Sequence, residues 1–260
     1  MSELTAVFLG LVQGLSEFLP ISSSGHLVMA QTVLGVGEEG LLFEIAVHMA
    51  TLASVVLFYW RKILDLAMGL IRGQRDAVEY VAKLVVATLP AVAAVLLVGD
   101  FLDAQFDSPR VAGVCLLVTG VLLWTTRRTA PTATLEAPGF GAAFAIGCAQ
   151  AVAILPGISR SGSTVATAMA LGIKPVVAAE FSFLMSVIAI TGAAVRSLPE
   201  LSTVSPDRMT PLLLGGAVAM LSGVLAIWFF VRLLRNQAFH HFAYYTWSAG
   251  LLFLAWLHFA

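Results

Sequence analysis

Apolar residues fill this chain in long blocks, and the polar positions that interrupt the blocks carry most of the information. A helix that crosses about 30 Å of hydrocarbon needs about 20 predominantly apolar residues. Six stretches meet or approach that requirement: 43–60, 82–99, 110–126, 177–195, 211–231 and 241–258. Two other apolar regions are broken. Pro20 and the run Ser22-Ser23-Ser24-Gly25 interrupt 4–35, and Pro156, Gly157 and the run Ser159–Gly162 interrupt 140–172. Each reads as two half-length helices joined by a polar turn. At about 1.5 Å per residue, 4–19 covers only about 24 Å. Irregular backbone at membrane depth requires protein or a wet cavity to satisfy its polar groups. Both regions are therefore expected to be re-entrant helical hairpins.

The broken regions also match each other. Gly10, Gln13, Ser22, Ser24, Gly25 and Gly35 sit at the same offsets as Gly147, Gln150, Ser159, Ser161, Gly162 and Gly172. Pro20 and Pro156 match with a one-residue slip, and Glu44 and Glu180 with another. One repeat covers about 1–128 (hairpin 4–35, then 43–60, 82–99 and 110–126). The other covers about 138–260 (hairpin 140–172, then 177–195, 211–231 and 241–258). Three spans follow each hairpin, and three is odd, so the second copy is inverted. The expected fold is an all-α integral membrane protein, a single membrane domain over 1–260. It has six transmembrane helices plus two re-entrant helical hairpins in an inverted-topology repeat. Such repeats place a functional site near the midplane, where the hairpin tips meet. A transporter, or an enzyme built on transporter-like architecture, fits that layout.

Composition narrows the classes. Hydrophobic residues make up 59% of the chain and charged residues 11%, against about 25% charged in an ordinary soluble domain. Mean hydropathy is +0.94. A disordered chain, a nucleic-acid binder and a secreted disulfide scaffold are excluded. No cleavable signal peptide is expected, since the first apolar run lacks a basic start and contains Gln13 and Glu17. Cys115 and Cys148 lie in apolar runs without metal-ligand spacing and read as small core residues. With the 61–81 loop in the cytoplasm, ten lysines and arginines fall inside and only Arg110, Arg196 and Arg208 outside, Arg160 being within a motif. That obeys the positive-inside rule and puts both termini on the outer side.

The repeats differ where chemistry needs a difference. Glu17 corresponds to Ile154, Ser23 to Arg160 and His26 to Ser163. Meeting hairpins would bring together one carboxylate, one imidazole, one guanidinium and several hydroxyls. Arginine grips phosphate oxygens bidentately, and serine–glycine turns leading into helix N-termini attract anions. A carboxylate tolerates phosphate when a cation lies between them or when it acts as a base. Glu17 beside Arg160 thus points to phosphoryl transfer, with Mg²⁺ or Ca²⁺ as the bridging cation and Glu17 as its ligand. Ser23 or His26 would attack phosphorus, or His26 would protonate the leaving group. At membrane depth the phosphate is lipid-borne.

Gln13-Gly-Leu-Ser-Glu17-Phe-Leu-Pro-Ile-Ser-Ser-Ser-Gly-His26 and Pro156-Gly-Ile-Ser-Arg-Ser-Gly-Ser163 resemble the two signature motifs of the undecaprenyl-diphosphatase (bacitracin-resistance) family. The resemblance spans essentially the whole chain. It implies an enzyme of the bacterial inner (plasma) membrane that cleaves undecaprenyl diphosphate to the monophosphate and phosphate, recycling the lipid carrier for peptidoglycan. It also implies a divalent cation, a homodimer and a site open to the periplasmic side. By that resemblance the catalytic set is Glu17, Ser23, His26 and Arg160. Gln13, Ser22, Ser24, Gly25, Ser159, Ser161 and Gly162 surround the substrate. Gln13 fills a motif position where the family has Glu or Gln, and an amide is neither base nor anionic ligand. The alternatives are a carrier or flippase for a lipid phosphate or small anion, and a non-catalytic membrane scaffold. Glu44 and Glu180 read as hairpin supports, with His48 pairing to Glu44 on one helix face. His240, His241 and His258 read as interfacial residues. Gly215, Gly216 and Gly223 read as a close helix approach at a dimer contact.

Overall fold

The computed structural model describes residues 2–34, 40–196, 206–236 and 238–259. Helices α1 (Glu3–Phe18) and α2 (Ser23–Leu34) form the first hairpin, followed by α3 (Gly40–Phe58), α4 (Trp60–Ile71), α5 (Arg75–Phe106) and α6 (Pro109–Thr129). Then come α7 (Phe140–Val152) and α8 (Arg160–Ala170), the second hairpin, and α9 (Pro175–Arg196), α10 (Pro206–Arg235) and α11 (Phe242–Phe259). One isolated parallel bridge pairs Leu135 with Ile173.

Local chemistry sets the breaks. Leu19 is extended (φ −68°, ψ 147°), as the ring of the following Pro20 demands, so α1 ends there. The second hairpin turns at Gly157 (φ +95°), and Ser159 caps α8 by accepting the Gly162 N–H at 3.0 Å.

Helices α5, α6, α9 and α10 contain stretches long and apolar enough to cross a membrane, and α3 with α4 makes a fifth across a 77° bend. The expectation of six is thus only partly met. Helix α11 is not among them, because Tyr244, Tyr245, Thr246, Trp247 and His258 dilute its apolar content.

The packing has a two-fold pattern. Helix α1 lies on α10 as α7 lies on α5, and α3 lies on α10 as α9 lies on α5. Small residues allow this. A Cβ at Gly10 would collide with the Gly215 carbonyl oxygen, and one at Gly147 with that of Ala87. Phe18, Phe183, Phe230 and Phe239 run through the core edge to face, with centroids 5.5, 5.5 and 5.6 Å apart. Gly215 faces Phe43 and Gly223 faces Ser54 and Phe18. Gly215 and Gly223 thus let helices approach closely within the chain, as expected. Cys115 is buried as expected, but Cys148 is exposed, on the side of α7 that its neighbours leave uncovered.

Candidate active site

The two hairpin tips touch. A Cβ at Gly25 would sit 2.9 Å from the Gly157 Cα, and Ser161 Oγ donates to the Leu19 carbonyl at 3.1 Å. Thr119 of α6 braces the second tip, donating to Gly157 O at 2.8 Å and accepting from the Ser159 N–H at 3.0 Å. Beside the tips lies a cavity of about 340 Å³. Glu17, Ser22, Ser23, Ser24, Ser159 and Arg160 line it together with Glu44 and His48. The rest of its wall is apolar, including Ile45, Met49, Phe106, Ile154, Ile158 and Ile190.

Glu17 is the hub. Its Oε1 is paired with Arg160 Nη2. Its Oε2 accepts from Ser23 Oγ at 2.6 Å and from Gln13 Nε2 at 3.0 Å. His48 Nε2 stands 3.7 Å from the same oxygen. A carboxylate so deeply placed needs such donors, since burying an unpaired charge is costly. Arg160 Nη1 is buried and has no protein partner. A guanidinium arm left without an acceptor beside a cavity suits a bound anion.

Ser22 is held at φ +69°, the one positive φ of a non-glycine residue among the described residues. That conformation costs an L-residue about 1–2 kcal/mol, and local bonds hold it. Its carbonyl accepts from the backbone N–H of His26 at 3.1 Å and from His26 Nδ1 at 2.8 Å. Its hydroxyl accepts from the Gly25 N–H at 3.3 Å. The turn delivers Ser23 Oγ to Glu17.

Not every expected residue reaches the cavity. Gln13 is buried behind Glu17 and supports it. Gly25, Ser161 and Gly162 build the tips. His26 does not line the cavity; its Nδ1 holds Ser22 and its Nε2 meets Tyr245 Oη at 2.7 Å. The imidazole inside the cavity is His48. Its Nδ1 donates to the Glu44 carbonyl at 2.7 Å, which leaves Nε2 toward Glu17. The four-residue spacing of Glu44 and His48 was the signal, because it puts both on one face of α3. Glu44 does support the first hairpin, through Gln31 Nε2 at 2.8 Å rather than through backbone N–H groups. Glu180 instead pairs with Lys62 Nζ at 3.2 Å, so its reading as a hairpin support is corrected.

Among the described residues no group of three or more His, Cys, Asp or Glu side chains is placed to hold a metal ion. The cavity contains two carboxylates, Glu17 and Glu44, and Glu17 already serves three donors. This donor set fits a hard cation whose shell is completed by phosphate oxygens and water, the usual arrangement for Mg²⁺.

A family model described as bacitracin resistance protein BacA matches residues 6–252. Among similar proteins, the undecaprenyl-diphosphatase of Rhodopirellula baltica is 41% identical over 257 residues, covering 97% of each chain. That of Alcanivorax borkumensis is 38% identical, covering 99% of this chain and 100% of its own. That of Desulforapulum autotrophicum is 37% identical, covering 95% of each.

Proposed function

Since the chain belongs to the bacitracin resistance protein BacA family, we propose that it hydrolyses undecaprenyl diphosphate to undecaprenyl phosphate and inorganic phosphate. The observation that carries this reading is the Ser23 hydroxyl 2.6 Å from the Glu17 carboxylate, with Arg160 on the other oxygen of that carboxylate. A nucleophile, a base and a phosphate clamp thus share one cavity whose remaining wall is apolar.

Arg160 and the Ser159 cap hold the terminal phosphate, Nη1 taking an oxygen that it lacks in the substrate-free chain. Ser23 Oγ attacks the terminal phosphorus and the P–O anhydride bond breaks. The electron pair leaves on undecaprenyl phosphate, and the hydroxyl proton passes to Glu17. His48 Nε2, facing Glu17 Oε2, receives that proton. Water then attacks the phosphoserine. Its proton goes to Glu17, Ser23 recovers one from His48, and the departing phosphate carries off the proton left on Glu17, which restores the base. A divalent cation, Mg²⁺ or Ca²⁺, would be held by Glu17 and would supply charge neutralisation at the phosphate. Ile154, Ile158, Phe106 and Ile190 receive the first isoprene units.

Six crossings and two re-entrant hairpins complete the reading, in two inverted copies at about 1–128 and about 138–260. The swapped packing of α1 on α10 and α7 on α5 supports it. The site opens to the periplasmic side of the bacterial inner membrane, the acidic end of α5 with Asp100, Asp103 and Asp107 lying on that side. The enzyme works as a homodimer.

The test is direct. Purified protein in detergent with Mg²⁺ or Ca²⁺ should release phosphate from a polyprenyl diphosphate, and Ser23→Ala should abolish the release. Labelled substrate should leave its phosphate on Ser23. Protein that releases none yet moves the lipid across vesicles would replace this reading by the carrier.

A further inference from the structure

We propose that Tyr245 is a positioning residue for this reaction, acting on Ser23 through His26 and the backbone of Ser22. The proposal rests on the serine nucleophile described above.

Three observations make the chain of contacts. Ser22 is held in the left-handed region, and the side chain of His26 bonds its carbonyl at 2.8 Å. A carbonyl oxygen only accepts, so Nδ1 carries the hydrogen. In the neutral ring Nε2 is then an acceptor, and the one partner it has is Tyr245 Oη at 2.7 Å. Tyr245 comes from α11, 219 positions further along the chain. Its ring lies nearly parallel to that of His26, with centroids 5.6 Å apart and planes 9° apart. The Ser22 carbonyl therefore fixes the tautomer, and the phenol, donating to Nε2, fixes the plane of the imidazole. The imidazole fixes the turn at Ser22, and the turn sets the 2.6 Å contact between Ser23 and Glu17.

This assignment explains why His26 stands beside the motif yet outside the cavity. It also gives α11 a part in the site. A histidine without its phenol can rotate about its side-chain bonds. Ser22 then loses its side-chain anchor, and Ser23 drifts from Glu17. A misplacement of about 1 Å is enough to cost a large factor in rate. Substrate binding rests on Arg160 and Ser159, which the chain of contacts does not touch.

Tyr245→Phe removes one oxygen and keeps the stacked ring. The expected result is a fall in kcat of about tenfold, with KM within about twofold and an unchanged melting temperature. His26→Gln should lower kcat at least as far, and the double variant should be no slower than His26→Gln alone, because both act on one link. Losses that multiply, full kcat in Tyr245→Phe, or a loss confined to melting temperature would each overturn the proposal. Nitrogen NMR of ¹⁵N-histidine protein gives a readout without turnover, the His26 signals being those lost in His26→Gln. The native chain should show the Nδ1–H form with a hydrogen-bonded Nε2, and Tyr245→Phe should move the Nε2 signal downfield as its donor is lost. An unchanged Nε2 signal in Tyr245→Phe also overturns it. Native protein that releases no phosphate defeats the parent reading instead, and the NMR result still decides the contact.

Discussion

At the scale of single residues, the cavity is organised around one buried carboxylate. Glu17 binds Arg160, Ser23 and Gln13 at once. Glu17→Gln keeps the shape and removes both basicity and charge, so kcat should fall by about 10²-fold or more, the scale of acid–base groups. Thermal stability should change little, because the cavity lets water reach Arg160. Full turnover at saturating cation would remove Glu17 from the chemistry. Arg160→Lys separates geometry from attraction. Lysine keeps the charge but not the planar fork, so kcat/KM should drop about 10²-fold, equivalent to about 2.7 kcal/mol, with kcat itself reduced. Steady-state kinetics showing a raised KM and an intact kcat would reduce Arg160 to an attractor of substrate. Glu17, Ser23 and Arg160 were legible in the sequence because each breaks an apolar run where the two repeats disagree. For His48 the sequence signalled only its spacing from Glu44; that it meets Glu17 follows from the way α3 packs against α1. His26 closes the first motif, but its ring is bound to Ser22 and Tyr245 and does not line the cavity.

At the scale of helices, apolar length located the elements but not their ends. Helix α6 covers Pro109–Thr129 where 110–126 was expected, whereas α5 runs for 32 residues and α10 for 30. The extra turns of α5 carry charges such as Asp76, Glu79 and Asp103, which a hydropathy window discards. The bend at Tyr59 was equally invisible, since no proline or glycine marks it and apolar residues continue on both sides. Where glycine does matter, two residues of α7 make a matched test. Gly147 abuts the backbone of Ala87 in α5, while Gly141 has open space at its Cβ. Gly147→Ala forces two backbones apart and should destabilise by about 1–3 kcal/mol, as over-packing does. Gly141→Ala meets nothing and should be neutral or stabilising by up to about 1 kcal/mol, from helix propensity. Melting in detergent decides. Equal effects at the two positions would show that α7 does not rely on close contact with α5.

At the scale of the molecule, two similar halves support a single site. The exchanged packing of α1 on α10 and α7 on α5 brings two unlike tips together. The first supplies Glu17 and Ser23, and the second supplies Arg160 from the position that Ser23 occupies in its own copy. One copy alone would hold a base without a clamp, or a clamp without a base. The proposed inversion would let the tips meet from opposite directions, and it requires α6 to cross the membrane between the ends of the first copy. Helix α6 has 21 residues, about 30 Å at about 1.5 Å per residue, enough for one crossing. Ala104 and Thr132, both exposed, flank it. In a background with Cys148→Ser, a cysteine at Ala104 should react with an impermeant thiol reagent from the periplasmic side of sealed vesicles. A cysteine at Thr132 should react only from the cytoplasmic side. Buried Cys115 should stay silent in both. Reaction of both from one side would leave α6 without a crossing. The halves would then share an orientation, and the tip-to-tip meeting of Gly25 and Gly157 would need an explanation other than inversion.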